Sequence, residues 1–186
     1  MNPNPNPNPG SNLEWRYSTP AIVLHWLLAL LIVFMVSLGW YMMSVEKEPG
    51  AEWYFDLHKS IGLIVFTLVV LRVLWRLAHR PEPLPASMPV WQVKLSAWTE
   101  ALLYVCMLVM PVTGIIGAVY SRAGLAFFGL ALSGFATPTR AISKLMFTIH
   151  SFTVWILVGL VALHVLGGLK HLLVDKDRVF HRMWMR

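Results

Sequence analysis

Four histidines lie inside long apolar stretches, where an imidazole is a ready metal ligand. His150 and His164 stand fourteen residues apart in one stretch near the C-terminus, while His25 and His58 open or lie early in two preceding ones. At about 100° and about 1.5 Å per residue, fourteen positions return to within about 40° of the starting face and span about 21 Å along a helix axis. One helix can therefore carry a ligand to each of two metal centres, one near each surface of a membrane. Two neutral imidazoles per centre, with no cysteine or carboxylate beside them in the apolar core, fall short of the four ligands of a zinc site. They suit the two axial positions of a haem iron, whose other four ligands come from the porphyrin.

The elements that must position them are membrane helices. The 186 residues are 57% hydrophobic and only 13% charged, against about 25% charged in an average soluble domain. Crossing a hydrocarbon core takes about 20 apolar residues, and four stretches suffice: 20–43, 55–77, 95–120 and 145–173. The expected fold is an all-α membrane protein, a single four-transmembrane-helix bundle over 17–186. Residues 1–16, with their Asn-Pro repeat, form a low-complexity leader expected to be disordered. The first apolar stretch is too long for a signal peptide and lacks a cleavage pattern. The single cysteine, Cys106, excludes an internal disulfide.

Local signals agree with these boundaries. Ser18 or Thr19 can cap the first helix, with Pro20 in its first turn, where a missing N–H costs nothing. The prolines from Pro81 to Pro85 end the second helix. Pro111 sits inside the third, where a kink is expected. The segment between Ser121 and Lys144 is the longest external loop, with room for a short surface helix. Ten lysines and arginines fall on one side (Arg16, Arg72, Arg76, Arg80, Lys94, Lys170, Lys176, Arg178, Arg182, Arg186) and five on the other (Lys47, Lys59, Arg122, Arg140, Lys144). That asymmetry predicts cytoplasmic N- and C-termini, and it accounts for the net charge of +6 without a nucleic acid.

Depth within these helices sorts the histidines into two pairs, His25 with His164 on the cytoplasmic side and His58 with His150 outside. Antiparallel helices of a bundle can aim such residues at a shared site. Ala29, Gly62 and Gly168 follow His25, His58 and His164 by one turn, and small side chains there leave room for a flat ring. They also serve close helix packing. Arg72, fourteen residues after His58, reaches the depth of the inner pair, where it could neutralise a haem propionate with Arg76 behind it. His171 shares the face of His164 and is the rival inner ligand, though too shallow to pair well with His25. His79 and His181 lie among basic surface residues.

The segments Tyr17-Ser18 to Leu24-His25-Trp26, His58-Lys59-Ser60-Ile61-Gly62, Leu71-Arg72-Val73-Leu74-Trp75-Arg76, Leu103-Tyr104 through Met110-Pro111-Val112-Thr113-Gly114, and His150 with Leu163-His164 resemble the bacterial cytochrome b561 family. The likeness runs from Tyr17 almost to the end. It implies an inner-membrane protein with two b-type haems on His25, His58, His150 and His164, exchanging electrons with quinone. At least one bacterial member oxidises superoxide and passes the electrons to ubiquinone. Lys59, Arg122, Arg140 and Lys144, near the outer pair, would raise the local concentration of such a small anion.

The expected function is therefore oxidoreductase electron transfer, from superoxide or another one-electron donor to ubiquinone, with no side chain acting as a nucleophile. A cytochrome subunit of a larger dehydrogenase or hydrogenase is one alternative, and a histidine- and methionine-based metal or proton transporter another. The transporter would require internal repeats or helices broken at mid-membrane, and Pro111 is the only strong break in the sequence.

Overall fold

The computed structural model describes residues 15–85 and 88–184. Four helices dominate it: α1 Thr19–Ser44, α2 Glu52–Ala78, α3 Val90–Val119 and α4 Arg140–Lys170. All four are long and apolar enough to cross a membrane. Successive helices pack side by side in chain order. Between α4 and α1 stand two ring contacts, His25 with His164 and Trp40 with Trp155, the latter with centroids 5.7 Å apart.

Several interior positions carry hydroxyls, and three of these are satisfied within their own helices. Ser60 donates to the Asp56 carbonyl at 2.7 Å, Thr113 to that of Val109 at 2.7 Å, and Thr153 to that of Ile149 at 2.8 Å. Such back-bonding lets a hydroxyl sit where no water can reach it. Ser143 instead bonds across the bundle, donating to the Gly117 carbonyl of α3 at 3.0 Å. A Cβ on Gly117 would come within 2.7 Å of the Phe147 ring, so glycine is what permits this close approach of α3 and α4. Large apolar side chains such as Leu30, Val33, Leu74 and Trp155 point outward, as a lipid-facing surface requires.

Several local expectations need correction. α3 and α4 each begin five residues before the apolar runs at 95 and 145, because their first turns carry interfacial polar residues that a hydrophobic stretch does not include. Ser18 holds the N-cap position of α1 but does not cap it; its hydroxyl accepts from the Trp75 indole at 3.1 Å. Pro111 does lie inside α3, as expected. The loop between α3 and α4, expected to carry a short surface helix, forms none. It folds as a hairpin of β1 Ala126–Phe127 and β2 Leu130–Ala131, turned by Phe128 and Gly129 with φ of 45° and 87°. Two positive φ values in a two-residue turn match the twist of the flanking strands. Phe128 N–H donates to Ser60 Oγ at 2.8 Å, which seats the hairpin on α2.

The other end of the bundle is closed by the C-terminal segment. After α4, His171–Asp175 form one wide turn, Lys176 takes a left-handed conformation with φ of 50°, and Phe180–Met183 make a short tight helix. The segment then runs under the start of α1. Tyr17 N–H donates to the Arg182 carbonyl at 3.3 Å, and the Trp26 indole to that of Met183 at 2.6 Å. Arg182 is only 6% exposed, with its guanidinium 4.5 Å from the Trp15 ring centre and 4.9 Å from that of Tyr17. It donates to the Glu82 carbonyl at 2.6 Å. Both ends of the described chain thus lie at one end of the bundle. The expected leader falls mostly outside the described residues, but its last two positions do not. The Trp15 indole donates to the Pro83 carbonyl at 3.0 Å and Arg16 bonds the Trp184 carbonyl, so the folded unit starts at least two residues earlier than expected.

Replacing Arg182 removes a buried charged hydrogen bond and two cation–aromatic contacts. Arg182→Ala is expected to cost about 2 kcal/mol and lower the melting temperature of the purified protein. Lys94→Ala, an exposed position on α3, should change stability by less than about 0.5 kcal/mol.

Candidate metal centres

Helix periodicity brings the four membrane histidines together as two facing pairs. His25 of α1 and His164 of α4 stand with ring centroids 6.0 Å apart and planes at 67°. His58 of α2 and His150 of α4 stand 6.3 Å apart at 76°. The equality of the two spacings has a chemical meaning. Two collinear metal–imidazole bonds of about 2.0 Å, plus about 1.1 Å from each nitrogen to its ring centre, put the rings about 6 Å apart. Both pairs therefore have the separation at which one iron could be held axially between them.

The surroundings of the outer pair fix its rings. His150 Nδ1 lies 2.8 Å from the Met110 carbonyl, which can only accept, so Nδ1 carries the proton and Nε2 keeps its lone pair for a metal. Thr113 Oγ1 stands 3.4 Å from the same Nδ1. A Cβ on Gly114 would approach the His150 ring to 3.2 Å, and one on Gly39 the His58 ring to 3.4 Å. Glycine at both positions lets a neighbouring helix press against the imidazole and hold its angle. His58 Nδ1 is buried with no hydrogen-bond partner among the described residues. An orphaned buried nitrogen is costly, and a metal bound by this ring would offset that cost.

The inner pair differs. Arg72 Nη2 lies 3.3 Å from His25 Nδ1, and Nη1 donates to the Ala21 carbonyl at 3.0 Å. A guanidinium has no lone pair to offer, so His25 Nδ1 is the acceptor here and the ring proton sits on Nε2. Ligation through Nε2 would move that proton to Nδ1 and require Arg72 to turn away. The sequence placed Arg72 at this depth correctly. Arg76, expected behind it, is held by Glu100 through contacts of 3.0 and 2.9 Å.

Other expected residues are placed differently. Gly168 faces the tail, where a Cβ would meet Phe180 at 3.5 Å, and Gly62 faces Met35 at 3.6 Å. His171, the rival inner ligand, does not face His25. It lies in the wide turn after α4, where its Nδ1 is 2.7 Å from Asp177 and 3.2 Å from Asp175. Those three residues are the one grouping of three metal-binding side chains among the described residues. Lys170 already occupies Asp175 at 2.5 Å. Lys59 is not a free cation either: Asp56 pairs with it at 2.6 Å and the Gly124 carbonyl accepts from it at 3.2 Å. Arg122, Arg140 and Lys144 are exposed and have no acidic partner among the described residues.

Sequence reasoning missed Gly39 and Gly114 as ring supports, Met110 as the backbone partner of His150, and the tail as a cover beside Trp26. Around that cover, burial and then the Glu100 carboxylate raise the Tyr17 phenol above its ordinary 10.0. Tyr17 is therefore a hydrogen-bond donor throughout the neutral range.

Comparison with known proteins agrees with this architecture. The family model described as Prokaryotic cytochrome b561 matches residues 16–186. Cytochrome b561 homolog 2 of Escherichia coli (strain K12) is 29% identical over 178 residues, covering 93% of each chain. Cytochrome b561 homolog 1 of the same organism is 28% identical over 180 residues, covering 92% of this chain and 98% of the relative. The probable superoxide oxidase CybB of Yersinia pestis is 26% identical over 177 residues, covering 90% and 95%. With the match extending over all four helices, the chain belongs to the prokaryotic cytochrome b561 family, whose members are multi-pass membrane proteins of electron transfer that carry b-type haem.

Proposed function

We propose that this protein is a di-haem oxidoreductase of the bacterial inner membrane, moving electrons from superoxide or another one-electron donor at the outer surface to ubiquinone. The observation that carries it is the matched spacing of the two histidine pairs, 6.0 and 6.3 Å between ring centres. Bound at each pair, a b-type haem would supply one-electron chemistry, with potential set by ligands, burial and nearby charge. His25 and His164 hold the inner group and His58 and His150 the outer one. Met110 and Thr113 orient His150, while Gly39 and Gly114 keep two rings at their angles. Arg72, now beside His25 Nδ1, would be the residue to neutralise a haem carboxylate there, which would leave that nitrogen free to carry the ring proton.

The charge pattern supports the direction of flow. With both described chain ends at one end of the bundle, the excess of lysine and arginine there favours a cytoplasmic location. Arg122, Arg140 and Lys144 then face the outside, where unpaired cations draw in a small anion. The overall reaction balances as two superoxide ions giving two dioxygen molecules and two electrons, with one ubiquinone taking those electrons and two protons to become the quinol. The name of the Yersinia pestis relative favours superoxide as the donor. The transporter alternative, which calls for helices broken at mid-membrane, gains nothing from α3, one helix over Val90–Val119.

Pairing predicts which haem each variant loses. His58→Ala and His150→Ala should each reduce haem content from two per chain to one and remove the same spectral component, and His25→Ala and His164→Ala the other. Loss of a haem in His171→Ala with retention in His164→Ala would reassign the inner ligand. For the reaction, stopped-flow mixing of the oxidised protein with superoxide should show haem reduction that is reoxidised by added ubiquinone. Arg140→Glu with Lys144→Glu should slow that reduction about tenfold at low ionic strength. Reduction no faster than spontaneous dismutation would leave a cytochrome subunit of a larger dehydrogenase or hydrogenase as the better account.

A further inference from the structure

The bundle end that holds both described chain ends has a cleft of about 520 Å3, distinct in its lining from the histidine pairs. Tyr17, Arg76, Leu77, Arg80, Ser96 and Arg182 form much of its wall, with Glu82 and Glu100 as its acids. Glu100 is occupied by Arg76 at 2.9 Å. Arg80 is exposed and has no ion-pair partner among the described residues, and the Nε of Arg182 is buried without a hydrogen-bond partner there. An adjoining cleft shares Tyr17, Arg76, Arg80, Glu82 and Glu100 and adds Arg16 and Arg72. Five arginines therefore face two glutamates across the joined space. The deeper part, with Arg72 against His25, belongs to the inner metal centre. The outer part does not touch it.

We infer that the outer cleft binds the phosphate of an anionic phospholipid headgroup. Guanidinium groups match phosphate oxygens in charge and in the geometry of their paired N–H donors, and the Tyr17 phenol and Ser96 hydroxyl line the same wall as further donors. Leu77, 71% exposed at the end of α2, offers the apolar flank that an acyl chain needs. Basic pockets between membrane helices on the cytoplasmic side are suited to such headgroups. The occupant would bridge α2, α3 and the C-terminal segment through Arg76, Ser96 and Arg182, fixing the tail beneath Trp26 and next to His25. A neutral quinone ring would use fewer of these charges, which is why a phosphate is the better match.

Native mass spectrometry of the full chain in neutral detergent tests this, with phosphatidylglycerol supplied in competition with phosphatidylcholine. Phosphatidylglycerol should be retained preferentially. Arg80→Gln should weaken that retention roughly fivefold, the effect of one arginine near an anionic lipid surface, while Arg140→Gln at the opposite end should leave it unchanged. Equal retention of both lipids, or an Arg80→Gln protein indistinguishable from the parent, would overturn the assignment. Displacement by equimolar inorganic phosphate would replace the lipid with a free-anion site. Co-retained ubiquinone lost in Arg80→Gln would make the cleft a quinone site instead.

Discussion

Every imidazole nitrogen that enters the hydrocarbon must find a partner inside the protein, because there is no water to supply one. That constraint organises this bundle. His150 spends one nitrogen on the Met110 carbonyl, and its ring stands 6.3 Å from that of His58. His58 has a buried nitrogen with no partner among the described residues, a cost that binding of a metal by this ring would offset. His25 and His164 face each other along the seam where the first and last helices meet. Glycines at 39 and 114 admit the rings, and Ser60, Thr113 and Thr153 satisfy their own hydroxyls by bonding back to carbonyls of their helices.

The two ends of the bundle then take on different jobs. At one end the hairpin sits on α2 through Ser60, Lys59 is neutralised beneath it, and three exposed cations remain around the start of α4. At the other, the C-terminal segment is drawn under α1 by Arg182 between two aromatic rings and by the Trp26 indole. Between these ends stand the two histidine pairs, whose α4 members are about 21 Å apart along the helix. Three exposed cations at one end and an arginine-lined cleft at the other distinguish the two ends of a bundle whose histidine pairs are nearly alike.

Much of this was legible because helix geometry is periodic. Fourteen residues fix both the face and the depth of His164 relative to His150, and the same interval from His58 to Arg72 places the arginine beside His25. What depended on the rotation of a neighbouring helix was not legible. Gly114 reads as a companion of Pro111 until α4 is seen to press His150 against it, and Gly168 reads as a ring contact until Phe180 returns to cover it. The hairpin was hidden because Phe128 takes a positive φ that the sequence gives no reason to expect, whereas asparagine or aspartate before Gly129 would have signalled it. Arg182 was counted only as one of ten cytoplasmic charges, since its partners Trp15, Tyr17 and Glu82 lie far away in the sequence.

The central claim is that each facing pair holds one iron by both imidazoles. Quantitative haem extraction against protein mass, combined with electron paramagnetic resonance of the oxidised protein, tests it most directly. The account predicts two b-type haems per chain, both six-coordinate and low-spin in the ferric state. A single haem per chain, or a high-spin signal showing an iron with an open axial position, would contradict it.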